Sequence, residues 1–504
     1  MSLFALLRVS PIRISLVHVF LIHFASSSWI LPTGGQTLAD DERPNIVLFV
    51  TDDQSPNIGC YGNETIRTPN MDRLASEGVL FRNAYCTTAS CSASRSVILS
   101  GLHNHFNGQY GHQHSYHHFQ SFDRVKSLPV RLTEAGYETV RIGKYHVAPE
   151  SVYKFDVQLP GNTRNPVQMS EVVGRYLASR DDSKPLFLYF CTSDPHRGGG
   201  TRTDLPHKPN AFGNKLAGYE GVPSQYYNPE EVAVPDFLPD TPVCRAELAM
   251  YYQSVSRIDA GLGKLTEVFR NAGIYDRSAF IFTSDHGMAF PGGKTTLYEP
   301  GMNVPMIVKP PAGWQGLGDL SSSNTNKPVE NHAMISHVDL APTIIDFAGA
   351  LGREQGNPPR DFHGKSWARL AKQPKSKRDV VYASHTFHEI QMYYPMRVVH
   401  RRRYKLIWNI AHGLPYPFAS DLWAASTWQD RYQQGMQTLY GQRTVESYIH
   451  RPEFELFDLE KDPAEVNNLA DSPEHAELLA ELKDEMKAFQ KSTKDPWIMK
   501  WNYE

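Results

Sequence analysis

Four short apolar runs, each ending abruptly in polar residues, punctuate the N-terminal part of the chain. Ile46–Val50 leads into Thr51-Asp52-Asp53, and Thr139–Ile142 into Gly143-Lys144-Tyr145-His146. Leu186–Cys191 leads into Ser193-Asp194-Pro195-His196, and Ala279–Thr283 into Ser284-Asp285-His286-Gly287. Three of these runs are continuously apolar, as strands buried on both faces are; Arg141 interrupts the second. Helical patterns lie between them. Thr68-Pro69 reads as an N-cap and first-turn proline, with Gly78 closing that helix. Tyr251, Val255, Ile258, Leu262, Leu265 and Phe269 fall at alternating gaps of four and three, one apolar stripe of a longer helix with Gly273 just past its end. Strands alternating with helices predict a large, mostly parallel sheet covered on both faces, in which ligands sit at the carboxyl ends of the strands. The polar residues named above fall at those ends. A single Asp or Gly after a strand is an ordinary turn former, but four strands delivering Asp-Asp, Lys-x-His, Asp-x-His and Asp-His argue for a site.

The pattern changes after the basic stretch Lys372–Arg378, which predicts a boundary between a main domain over 44–375 and a smaller one over 376–504. Val380–Tyr382 and Tyr404–Trp408 read as strands, and Ser472-Pro473 opens a helix with Leu479, Leu482, Met486 and Phe489 on one face. The expectation is an α+β unit of antiparallel sheet and terminal helix. At the other end, Arg8 and Arg13 precede an apolar run from Ile14 to Ala25 and small residues to Ser28. A bilayer span needs about 20 apolar residues, so 1–28 reads as a cleaved export signal, with an uncleaved anchor extending to Ile30 as the alternative. The mature protein is then expected to be free of the membrane.

Composition narrows the chemistry. With 21% charged residues and a formal net charge of -3, nothing attracts nucleic acid in bulk, and an anionic substrate must be met by a local cationic cluster. Five cysteines are too few for a disulfide scaffold, and the odd count raises the question of which one is reactive. Asp52, Asp53 and Asp285 are hard oxygen ligands whose mutual repulsion a divalent cation would relieve, Ca²⁺ or Mg²⁺ before zinc. His286 adds a nitrogen that a softer metal also accepts. Lys144, His146, His196 and Lys294 suit a small tetrahedral anion, sulfate or phosphate. The histidine run from His103 to His118 could hold a metal cluster, but its irregular spacing matches no tidy ligand set; substrate lining or plain loop is the other reading. Cys91 opens a short helix closed by Gly101, a position that lowers a thiol pKa.

The segment Cys91-x-Ala93-Ser94-Arg95-x-x-x-Leu99-Ser100-Gly101 resembles the signature of the sulfatases, in which the cysteine is oxidised to formylglycine. Most members carry proline where this chain has Ala93. The likeness spans nearly the whole mature chain and is strongest to the sulfamidases, or heparan N-sulfatases, through Asn107–Gly111, His117-His118-Phe119, Gly143–Val147, Asp194–Arg197, His388-Glu389 and Tyr394–Arg397. It implies an alkaline-phosphatase-like fold and hydrolysis of the N-sulfate of glucosamine in heparan-type glycans. It implies one calcium ion held by Asp52, Asp53, Asp285, His286 and the modified Cys91, and a formylglycine-generating maturation enzyme as partner. Arg95, Lys144, His146, His196 and Lys294 match sulfate-binding and proton-transfer positions. His286 stands where sulfamidases usually have asparagine, and Lys294 where they more often have arginine, keeping the charge without the bidentate fork. In the mechanism the resemblance implies, one hydroxyl of the formylglycine hydrate attacks sulfur, His196 protonates the departing nitrogen, and His146 takes the proton of the second hydroxyl to expel sulfate. His388, Glu389 and Arg397 are expected at the pocket rim, reading the sugar; Arg397 with Arg401–Arg403 as a solvated strand face is the other reading. An O-sulfatase, a phosphodiesterase or phosphonate hydrolase of the same superfamily, and a non-catalytic glycan-binding protein are the competing functions. The export signal favours a bacterial periplasm over a lysosome, and the lone sequon Asn63-Glu64-Thr65 gives the latter little support. A homodimer is compatible with the resemblance.

Overall fold

At the centre of the sheet lies β1 (Asn45–Thr51), every residue of it buried, paired in parallel with β5 (Leu186–Cys191) on one side and β6 (Ser278–Ser284) on the other. The computed structural model describes residues 43–318, 327–349, 361–372 and 378–503, all within one compact unit. The expected signal 1–28 and the expected boundary at 375/376 lie outside the described residues.

The sheet is completed by β2 (Val79–Tyr85), β3 (Glu138–Gly143), β4 (Val157–Leu159), β7 (Met306–Lys309) and β8 (Val329–Ser336), in the order β4-β3-β5-β1-β6-β7-β2-β8. Pairings are parallel except along β7, which runs against both β6 and β2. Antiparallel neighbours need no crossover helix, so residues 285–305 between β6 and β7 are free to form a loop at the strand ends. Burial explains the continuous apolar runs. Phe49 stacks on Phe190 with ring centroids 4.7 Å apart, and Ile46, Val47, Leu48 and Val50 are fully buried, each worth about 1.5–3 kcal/mol relative to exposure. Arg141 is tolerated because β3 lies next to the sheet edge, where its guanidinium reaches Glu150 at 2.8 Å.

The long helix spans Pro242–Asn271, capped by the Thr241 hydroxyl accepting from the Cys244 amide at 3.2 Å, and the predicted stripe Tyr251 to Phe269 is buried. It packs on the Pro166–Ser179 helix so closely that a Cβ on Gly261 would lie 2.2 Å from Pro166 Cβ. The predicted helix after Thr68 is found at Pro69–Ser76.

The second sheet is antiparallel throughout, in the order Phe454–Asp458, Tyr404–Asn409, Met396–Arg401, Val380–His385. The Ala476–Thr493 helix covers one face of it, burying Leu482 and Met486 against Val399, Leu406 and Leu456. Phe489 stacks on Tyr382 at 4.3 Å. Ser472-Pro473 opens a single 3₁₀ turn ahead of this helix rather than the helix itself. Asn63 of the sequon is buried, its amide nitrogen donating to Asn57 Oδ1 at 2.6 Å and to Tyr252 at 2.7 Å, so both amide hydrogens are engaged and no nitrogen faces solvent for a glycan on the folded chain. All five cysteines are unpaired. Among the described residues, no helix is long and apolar enough to cross a membrane.

Candidate active site

Strand register assembles the site. Thr51 of β1 lies beside Ser284 of β6, Val50 beside Cys191 of β5, and Gly143 of β3 beside Cys191. The residues that follow therefore meet at one edge of the sheet. Into this edge points the helix Cys91–Ser100, which ends at Gly101 with φ of 68°, a left-handed turn that glycine adopts without strain. The Ser94 hydroxyl ties the helix to the Asp285 carbonyl.

Asp52, Asp53, Cys91, Arg95, Asp285 and His286 are all fully buried. His286 Nε2 lies 3.0 Å from Asp53 Oδ1 and 3.2 Å from Cys91 Sγ, and Cys91 Sγ is 3.5 Å from Asp53 Oδ1. The Asp53 amide donates to Asp285 Oδ1 at 3.1 Å. Gly287 lets the next turn close over His286, for a Cβ there would meet the Pro300 carbonyl oxygen at 1.9 Å. Arg95 Nε donates to Asp285 Oδ2 at 2.9 Å, and Lys144 Nζ to Asp52 Oδ2 at 2.5 Å. Asp52 Oδ1 accepts no hydrogen bond; its nearest cation is Arg95 Nη2 at 3.5 Å.

This donor set fits a divalent cation. A buried carboxylate oxygen without a donor is costly; Asp52, Asp53, Cys91 and His196 offer donor atoms within 4.8 Å of one another, and Cys91 joins Asp285 and His286 in a second such group. His286 Nδ1 faces the Gly287 carbonyl at 3.0 Å, so it carries the hydrogen and leaves Nε2 for a proton or a metal. Burial works to raise every carboxyl here. Lys144, His196 and Arg95 overcome it at Asp52, and Lys294, His196 and His286 at Asp53, holding both well below the usual carboxylate range. Asp285, where burial with Asp52 and Asp53 outweighs Arg95 and His286, is pushed up to about 6. At Cys91 the helix N-terminus does not prevail: burial, then Asp52, Asp53 and Asp285, push the thiol well above its ordinary value against the pull of Lys144. The lowered thiol pKa expected from the helix position is therefore overturned by depth and by neighbouring anions.

Above the carboxylates opens a cleft of about 510 Å³, lined by Lys144, His146, His196, Lys294, His388 and Glu389 among others. Lys294 Nζ spends its three hydrogens on Asp53 Oδ2 at 3.1 Å, Asp421 Oδ2 at 2.9 Å and His196 Nε2 at 2.9 Å. Burial opposes its charge, but Asp421 and Asp53 raise its pKa well above normal, so it is an ammonium. His196 Nδ1 faces the Arg197 carbonyl at 2.5 Å and must carry a hydrogen, leaving Nε2 to share the Lys294 proton. His146, with positive φ of 57°, projects into the cleft with Nε2 2.6 Å from His114 Nδ1; burial and Lys144 hold its pKa well below normal. His388 is anchored by Ser90 Oγ at 2.9 Å and Glu389 by Ser420 Oγ at 2.8 Å.

Arg397 is elsewhere. It is fully buried behind the second sheet, bidentate to Asp495 with one bond of 2.8 Å, and donates to the His385 carbonyl at 3.2 Å. Neither the pocket-rim nor the solvated-strand expectation holds, because a charge within a packed sheet face must find a carboxylate, and the segment after the last helix supplies one. Burial disfavours ionised Asp495, and Arg397 more than offsets it, holding the carboxyl well below its ordinary range. The pair's contribution is thus present above about pH 4 and lost as acid protonates Asp495. Arg397→Met is expected to lower the unfolding free energy by about 3–5 kcal/mol in urea titrations at neutral pH, without raising the glycan KM of the folded fraction. A raised KM with unchanged stability would restore the sugar-reading role.

Asp421, Ser420, Thr163, Ser193, His112 and His114 also line the cleft. Asp421, Ser420 and Thr163 carry no motif, Ser193 stands in the strand-end segment that leads to His196, and the two histidines belong to the run whose spacing matched no ligand set.

The sulfatase family profile matches residues 44–350, and the profile described as N-sulphoglucosamine sulphohydrolase, C-terminal, matches 292–416. The human N-sulphoglucosamine sulphohydrolase is 37% identical over 475 residues, covering 90% of this chain and 92% of its own. An ulvan-active sulfatase of Formosa agariphila is 28% identical, covering 91% of this chain and 82% of its own. A solved structure described as a complex with its substrate D-glucosamine-2-N,6-O-disulfate superposes with a TM-score of 0.60 at 21% identity, covering 90% of this chain and 99% of that one. At that identity the superposition speaks for the fold, and the relatives and profiles carry the rest: the chain belongs to the sulfatase family.

Proposed function

We propose that this protein hydrolyses the N-sulfate of glucosamine residues in heparan-type glycans, with residue 91 converted to formylglycine by a maturation enzyme and one calcium ion held by Asp52, Asp53, Asp285, His286 and residue 91. The observation that carries this reading is the junction of two features in one cleft: residue 91 seated among buried metal-type donors, and a proton-bearing His196–Lys294 pair beside it. The similarity to the human N-sulphoglucosamine sulphohydrolase supports the choice of substrate. The formylglycine hydrate and the calcium ion would supply a metal-activated geminal diol, one hydroxyl for attack on sulfur and a second whose loss of a proton releases sulfate.

The chain's own residues do the rest. Arg95 braces Asp285 and Lys144 braces Asp52, so the carboxylates keep their orientation without moving. Lys144 and Lys294 present positive charge to the sulfuryl oxygens. An amine leaves only when protonated; burial and Lys294 hold His196 below its ordinary pKa, so its Nε2 accepts from the Lys294 ammonium and would pass that proton on to the nitrogen. His146, kept neutral by burial and Lys144, is ready to accept a proton at the second hydroxyl. Glu389 and Asp421 are placed to accept hydrogen bonds from the sugar hydroxyls. We propose export to the periplasm, from the signal-like residues 1–28.

Purified protein assayed on N-sulfated glucosamine and on glucosamine 6-O-sulfate is expected to release sulfate from the first. Release from the ester alone would overturn the sulfamidase reading and leave an O-sulfatase.

A further inference from the structure

A second set of metal-type donors lies at the mouth of the cleft, separate from the carboxylates. His112, His114 and His146 each offer a ring nitrogen, and these nitrogens lie within 4.8 Å of one another. His114 Nδ1 is 2.6 Å from His146 Nε2, and His112 Nε2 is 2.9 Å from His388 Nε2. Each contact sets two imidazole nitrogens face to face. Two lone pairs at such distances repel unless a proton or a cation sits between them. Burial holds His112, His114 and His146 below the ordinary histidine pKa, with Lys144 adding to the effect at each, so each ring is neutral with one N–H, and a metal would only shift the proton shared by facing nitrogens to a ring's other nitrogen.

The surroundings are those of a metal site as well. His112 is buried, with its Nδ1 3.4 Å from Ser92 Oγ, an outer partner that would fix the ring. His146 Nδ1 is buried without a hydrogen-bond partner. The ring centroids of His112 and His146 are 5.0 Å apart and those of His112 and His114 are 4.8 Å apart, so the three imidazoles share one small space. His114 is half exposed at the cleft, which leaves a coordination position open to water. Three imidazoles with an open position suit a late first-row divalent cation, Zn²⁺ foremost, and not the hard Ca²⁺.

We propose that His112, His114 and His146 form a second, transition-metal site of zinc type, whose occupancy immobilises His146 and obstructs the cleft. The inhibitory consequence rests on the role of His146 given under Proposed function; binding does not. A bound Zn²⁺ occupies the Nε2 lone pair with which His146 would accept a proton, so activity falls as zinc is added and returns on chelation.

The test uses mature, calcium-saturated protein and Zn²⁺ as probe, by isothermal calorimetry, with Co²⁺ absorption reporting coordination. Wild type is expected to bind one Zn²⁺ per chain without releasing calcium, and Co²⁺ to give the visible bands of a four- or five-coordinate nitrogen site. His114→Gln, at a half-exposed loop position, and separately His112→Asn, are expected to weaken binding at least about tenfold. Zinc inhibition, measured relative to each protein's own zinc-free rate, should weaken in parallel. Absence of zinc binding, or equal binding by wild type and both variants, overturns the site, the latter because zinc then sits among the carboxylates. If the protein proves to cleave only O-sulfates, the binding result still decides the site on its own.

Discussion

Cys91→Ala is expected to lower sulfate release from N-sulfoglucosamine by about 10⁴-fold or more, with the circular dichroism spectrum unchanged. The side chain is small and fully buried, and its polar contacts are Asp53 Oδ1 at 3.5 Å and His286 Nε2 at 3.2 Å, so its loss disturbs little of the fold. What is lost is the nucleophile. A thiol attacking sulfur would have no second hydroxyl to expel the sulfate and would be trapped after one turnover. Mature wild-type protein should therefore show a residue-91 peptide about 18 Da lighter than its cysteine form. Full activity from a chain whose residue 91 is an intact thiol would refute the mechanism.

His196→Ala is expected to lower turnover of the sulfamate by about 10²–10⁴-fold and of an aryl sulfate far less. The difference follows from the leaving group. A phenolate departs without a proton, whereas an amine does not. His196 Nε2 stands 2.9 Å from Lys294 Nζ in the cleft, and its other nitrogen is fixed by the Arg197 carbonyl, so Nε2 is the ring atom through which a proton from the ammonium would reach substrate. Equal losses on both substrates would mean that His196 holds the sulfuryl group and is not the acid.

The parts of the molecule that could be read without a structure share a local cause. The runs ending at Val50, Cys191 and Thr283 are apolar because those strands are covered on both faces, and the Tyr251–Phe269 stripe has helical spacing because one face is buried. Both patterns lie within a few consecutive residues. The polar residues beyond the strands could be assigned to one edge because parallel strands in one sheet end on the same side, and the observed register joins them as expected. Cys91 was legible from its segment alone.

Partnerships between distant segments were not. Asp421 reaches Lys294 from the segment between two strands of the second sheet, Tyr404–Asn409 and Phe454–Asp458, and nothing in Ser420-Asp421-Leu422 announces it. Arg397 reads from the sequence equally as a sugar reader or a solvated strand residue, and Asp495, far along the chain, is what neutralises it. The spacing from His103 to His118 matched no ligand set because His146, which lies close to His112 and His114, comes from the far end of β3. The Cys91 thiol was expected low from its helix position and is raised by a depth that only packing defines. Chain order determined which groups stand at the strand ends, since periodic burial and turn chemistry are short-range. Tertiary packing decided which of them are paired, how deeply they are desolvated and what charges face them, because a side chain's electrostatic surroundings are set by whatever the rest of the chain brings within a few ångströms of it.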